Sequence, residues 1–149
     1  MAAARRSTWA LRALDGLQYG VVLSGVVVLV ASVAAYALAL VARGPDAIAT
    51  VRPLLAAKWL LFVLGFFFMA LGAFRLRPAA PYKQNARFSL DLSNSRDAEG
   101  IAALAGRLPP LSRFDPSPTE RLSTGGRLLV GSVVMLAISL LLELGGVRI

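Results

Sequence analysis

The chain has 149 residues, 57% of them hydrophobic, with 16 Lys and Arg against 8 Asp and Glu and a formal net charge of +8. Its mean hydropathy of +0.68 exceeds what a soluble domain carries. Cysteine and histidine are both absent, which excludes disulfides, Cys/His zinc sites, thiol nucleophiles and Ser-His-Asp triads.

Three apolar runs dominate: Leu17 to Ala42, Pro53 to Phe74 and Leu128 to Leu142. About twenty apolar residues suffice to cross a hydrocarbon core of ~30 Å as a helix. The fold expected is an all-α membrane protein, one folding unit over 1–149. Its three transmembrane helices fall near 17–42, 53–74 and 127–147. A partly ordered, basic cytoplasmic loop covers 75–126. A basic chain can also suggest nucleic acid. Here the basic residues flank apolar spans, as topology and anionic headgroups require. There is no RNA-binding aromatic pattern and no compact basic helix. The lipid bilayer with its anionic headgroups is therefore the expected partner, and nucleic acid is not.

Residues 1–16 read as a short basic amphipathic lead-in, with Trp9, Leu11 and Leu14 beside Arg5, Arg6 and Arg12. Ala37-Leu38-Ala39 imitates a signal-peptide cleavage site. The apolar run before it is much longer than the ~7–15 residues of a signal core, so an uncleaved anchor is expected. The first span is ~39 Å long as a helix and should tilt or protrude. Arg43-Gly44-Pro45-Asp46 predicts a turn. Pro53 suits the first turn of the second helix. Arg75-Leu76-Arg77-Pro78 marks that helix's exit.

Prolines divide the polar region. Arg87 to Leu92 alternates with period two and reads as a short strand. Asp97 to Leu108 predicts a short helix with Ile101, Leu104, Ala105 and Leu108 on one face. It is expected on the membrane or against the span ends. Ser117-Pro118-Thr119-Glu120 reads as a capping box and predicts that the third helix begins near Pro118. Gly125-Gly126 weakens that extension by ~1 kcal/mol per glycine. The run from Leu128 to Leu142 covers only ~22 Å as a helix, so spanning requires Glu143 and residues up to Val147.

Positive charge sets orientation. Twelve basic residues lie in the N-terminal segment and the 75–127 segment, against Arg43, Arg52 and Arg148 on the other side. The expected location is the cell membrane, with the N-terminus in the cytoplasm and the C-terminus outside.

Two charges fall inside predicted spans, Lys58 and Glu143. Such charges are costly, ~2.5–3.5 kcal/mol on insertion scales, and are functional candidates by default. Lys58 lies ~8 Å below the outer start of its span. Glu143 lies ~24 Å from Arg127, or ~6 Å below the outer boundary. Matched depth makes them a candidate intramembrane ion pair. The competing reading is that each snorkels to the interface alone.

Small residues supply candidate packing faces. Gly65 and Gly72 share a face with Lys58. Gly131, Met135, Ser139 and Glu143 follow at four-residue spacing. Gly16, Gly20 and Ser24, then Ala31, Ala35 and Ala39, do the same on the first span. Such faces let helices approach closely in lipid. Asp91, Asp97, Glu99, Asp115 and Glu120 show no paired-carboxylate or metal spacing. No catalytic residue, metal site or cofactor is expected.

Residues 58–83 run from Lys58 through Gly65 and Gly72 to Phe74-Arg75-Leu76-Arg77-Pro78. They resemble a segment of small uncharacterised haloarchaeal multi-pass membrane proteins. Ala13-Leu14-Asp15-Gly16-Leu17-Gln18-Tyr19 is also similar. The resemblance implies a membrane protein and carries no function with it.

The leading functional expectation is a non-enzymatic accessory or assembly subunit acting through helix packing, with a second copy or another membrane protein as partner. The alternative is a subunit of a small channel or transporter that uses Lys58 and Glu143.

Overall fold

The computed structural model describes residues 2–76, 100–109, 111–114 and 121–146. Among them are helices α1 (Ala2–Arg43), α2 (Pro53–Leu76), α3 (Ile101–Arg107), α4 (Leu111–Phe114) and α5 (Thr124–Leu144), with a 3-10 helix at Pro45–Thr50. Three of these are long and apolar enough to cross a membrane: Thr8–Arg43 within α1, then α2 and α5. They run up, down and up, so α1 and α5 are parallel.

The lead-in and the first span form one continuous helix. Nothing between Arg12 and Gly16 breaks the backbone, and Gly16 and Gly20 are covered by Leu122, Val130 and Val134 rather than exposed to solvent. Gly44 ends α1. Its φ of 79° is a left-handed conformation open to glycine, and its N–H donates to Leu40 O at 3.0 Å. The next residues wind into the 3-10 helix, with Pro45 in its first turn and Thr50 Oγ1 donating to Ala47 O at 2.8 Å. Pro53 then opens α2.

The third long helix differs from the sequence expectation at both ends. It starts at Thr124, not near Pro118. Ser117 lies outside the described residues, but 121–123 are not helical, so no helix runs unbroken from Pro118 into α5. The N-cap is Ser123, extended at ψ 158°, whose Oγ accepts from Gly126 N at 3.3 Å. Leu122 N instead donates to Asp15 Oδ2 at 3.0 Å. That tertiary bond holds the chain outside the helix one residue before the cap. At the far end α5 stops at Leu144 rather than Val147, because Gly146 turns to φ 91°. The helix thus covers ~31 Å by starting earlier and ending earlier than 127–147. Ser123→Ala should lower stability by ~0.5–2 kcal/mol in reversible unfolding from mixed micelles.

The predicted short helix is α3, opened by Gly100 at φ 54°. It packs against α1. Ala105 is buried and Ile101 is half-buried, whereas Leu104 and Leu108 are exposed. Gln18 on α1 anchors its C-terminal end, with Nε2 donating to Ala105 O and Leu108 O, both at 2.7 Å. Each carbonyl also accepts a backbone N–H, Ala105 O from Leu108 N at 3.1 Å and Leu108 O from Ser112 N at 3.2 Å, so the side chain adds a second bond at each and ties the end of α3 to α1. The period-two segment Arg87 to Leu92 lies outside the described residues.

The core sits where α1, α2 and α5 meet. Leu23, Val27, Leu61 and Met135 are buried there, with Tyr19, Leu64, Phe68 and Ile138 packed around them. Most other large apolar side chains face outward, among them Leu29, Val33, Leu38, Phe66, Phe67 and Leu141. In a membrane protein this outer surface meets lipid rather than water.

Candidate functional site

The broadest helix contact is between α2 and α5, and small residues set its closeness. Gly72 faces Gly125 and Leu129: a Cβ there would lie 3.0 Å from Gly125 O and from Leu129 N. Gly65 faces Leu136, whose Cδ2 would lie 2.9 Å from such a Cβ. Gly131 looks the other way, towards Tyr19 and Gly20 of α1. The four candidate packing positions therefore divide between two interfaces. Ser139 joins α5 to α2 by donating from Oγ to Lys58 O at 3.1 Å.

That hydroxyl bond fixes the level of Lys58. Its backbone lies beside Ser139, one helical turn or ~6 Å below Glu143. The Lys58 side chain climbs the difference, and Nζ forms an ion pair with Glu143 Oε2. The structure thus brings these two side chains together. They are unequally placed: the Lys58 side chain is 8% exposed and that of Glu143 49%. Lys58 Nζ also stands 5.6 Å from the centroid of the Trp59 ring, within cation–π range.

Beside this pair runs a groove of about 550 Å³ between α2 and α5. Trp59, Phe62 and Phe66 form one wall, each ring edge-on to the next at 6.2 and 5.1 Å. Leu136 and Leu140 form the other. Lys58, Ser139 and Glu143 are its polar lining. A volume of this size lies within the ~300–1,000 Å³ typical of small-molecule sites.

A second ion pair stands at the opposite end and was not foreseen from the sequence. Arg127 Nε donates to Asp15 Oδ2 at 2.9 Å, with the side chains 2% and 9% exposed. The same carboxylate oxygen accepts from Leu122 N. Asp15 therefore joins α1 to the start of α5 through one charged and one backbone donor. A signal was present. In an up-down-up bundle the starts of the first and third spans share an end. Asp15 is the one acid ahead of Asp46.

Fold and site together define an all-α membrane protein with three helices suited to spanning, tied by an ion pair at each end. The chain belongs to a family of unknown function (DUF7555), whose model matches residues 6–147. No curated protein and no solved structure matches it.

Proposed function

We propose that this protein is a non-enzymatic accessory or assembly subunit of the cell membrane, a single membrane domain that acts through helix packing. The supporting observation is where its buried polar groups are engaged. Ser24 and Ser132 hydroxyls donate to carbonyls of their own helices, and Ser139 to its neighbour's. Gln18 holds α3, and the two ion pairs join α1 to α5 and α2 to α5. These groups serve cohesion between helices, as expected of a scaffold. The N-terminus and the 75–126 loop lie in the cytoplasm in this reading, with the loop's arginines at anionic headgroups. The C-terminus lies outside. The haloarchaeal lineage suggested by residues 58–83 belongs to the same proposal.

The channel or transporter reading draws on one observation, the Lys58–Glu143 pair bordering a groove. Purification of the tagged full chain in mild detergent separates the two. A stoichiometric complex with another membrane protein supports the assembly role. A lone homo-oligomer that conducts ions in vesicles overturns it in favour of the channel. Orientation is tested by single cysteines, since the chain has none of its own. A cysteine at Ser93 should resist impermeant reagent in intact cells, and labelling there would reverse the topology.

A further inference from the structure

The connection from α2 to α5 leaves and returns at one end of the bundle, the end where Asp15 pairs with Arg127. Depth can be counted from that pair. Leu23 lies eight residues past Asp15 and Met135 eight past Arg127, ~12 Å along each helix. Those two side chains are the members of the buried core cluster nearest to that end, and Ile101 packs against the cluster. The start of α3 therefore stands near the same depth. Its end is shallower. Gln18, which holds Ala105 O and Leu108 O, is three residues past Asp15, ~4.5 Å. The remaining ~7.5 Å to Leu23 matches the ~6 Å of helix from Ile101 to Ala105. α3 lies along α1, deep at its start and shallow at its end.

The surface at this depth is apolar on all three long helices. Leu17 and Val21 on α1 and Val133 on α5 are exposed there, and so is Phe67, between Gly65 and Gly72 on α2. A continuous belt of this kind is stable against acyl chains and not against water. Leu104 is exposed on α3 within the same belt. Arg107, exposed as well, sits at the shallow end of α3, where its side chain reaches the headgroups. At that end Ala105 O and Leu108 O each take a second donor, the Gln18 amide, beside a backbone N–H. In water solvent supplies such a donor. Within lipid the protein must supply it.

We infer that the connection between α2 and α5 re-enters the bilayer, and that α3 is a lipid-facing element of the leaflet at the Asp15–Arg127 end, anchored by Gln18. Its partner is the acyl-chain layer, met through Leu104. The inference holds whichever side of the membrane that end faces and whatever the protein assembles with. It stands or falls apart from the proposed function.

The chain has no cysteine, so a nitroxide can be attached at one chosen position. The full-length Leu104→Cys protein is labelled in liposomes of phosphatidylethanolamine and phosphatidylglycerol. Electron paramagnetic resonance then reads its collisions with oxygen, which concentrates in hydrocarbon, and with a nickel chelate that stays in water. Val21→Cys is the lipid-facing reference at matching depth. Oxygen should dominate at position 104 as it does at position 21. Adding Gln18→Leu should reverse the balance at position 104, with nickel dominating, and leave position 21 unchanged. If Gln18→Leu does not fold, positions 104 and 21 in the otherwise native chain decide alone. Nickel dominating at position 104 with Gln18 in place means that α3 stands in water, and overturns the inference. Asp97 and Glu99, just ahead of α3 in the sequence, favour that outcome. Access to neither reagent means that protein covers α3 and overturns it too. An unchanged balance after Gln18→Leu overturns the anchoring role of Gln18.

Discussion

Asp15→Leu should cost ~3–5 kcal/mol of stability, the largest single-site loss expected in this protein. The Arg127 side chain is 2% exposed, so removing its carboxylate leaves a charge enclosed among helices. Leu122 N loses its acceptor in the same step, an unmade bond worth a further ~1–3 kcal/mol if the group stays buried. Reversible unfolding from mixed micelles measures the effect. Adding Arg127→Leu should recover part of it, because the stranded charge is gone. Asp15→Asn separates the two contributions. It keeps an oxygen for Leu122 N and gives up the ionic partner, so its cost should fall between wild type and Asp15→Leu. A loss below ~1 kcal/mol for Asp15→Leu would mean that lipid headgroups or water replace the carboxylate.

The second large effect is steric. Gly72→Leu should cost ~1–3 kcal/mol or more, because a side chain there meets backbone as well as the base of the Leu129 side chain, and the backbone cannot move aside. Its Cβ alone would come within 3.0 Å of Gly125 O and Leu129 N. Gly65→Leu should cost less, since the atoms it meets are the end of the Leu136 side chain and can shift. Gly25→Leu is the control, with nothing within 4 Å of its Cβ position. The ranking Gly72 above Gly65 above Gly25 is read from the same unfolding curves. An equal cost at all three would point to helix-wide propensity instead of the α2/α5 contact.

The long helices were legible because hydropathy over twenty residues is a strong signal. Their ends were less so, and the reasons are local. Two serines compete to cap the third helix. Ser117 stands in the better sequence pattern, with proline and glutamate after it. Ser123 is the cap because Asp15, more than a hundred residues earlier, takes the Leu122 N–H. A capping pattern is a local preference of about 1 kcal/mol, and one part-buried hydrogen bond to a carboxylate outweighs it.

The two ion pairs differ in the same way. Lys58 and Glu143 interrupt apolar runs, so their cost is visible and their depths can be counted from the span ends. Asp15 and Arg127 sit at the edges of runs, where a charge is cheap and reads as a topology marker. Asp15 is also bonded by the chain before α5, which no pattern within either span reports. The groove is likewise a property of two helices at a given rotation. Trp59, Phe62 and Phe66 show only that one side of α2 is aromatic.

The spacing of the two ion pairs has a physical consequence for the surrounding bilayer. Arg127 and Glu143 are sixteen residues apart on one helix, ~24 Å. An average hydrocarbon core is ~30 Å thick. On the α2/α5 side the slab free of charge is therefore thinner than the lipid around it. On the other side α1 carries apolar residues for ~39 Å, longer than the same core. One molecule thus presents a short hydrophobic edge and a long one. Lipid must thin against the first and thicken, or α1 must lean, at the second. The protein is a wedge in thickness, and its orientation in the membrane plane acquires an energy wherever the bilayer's thickness varies.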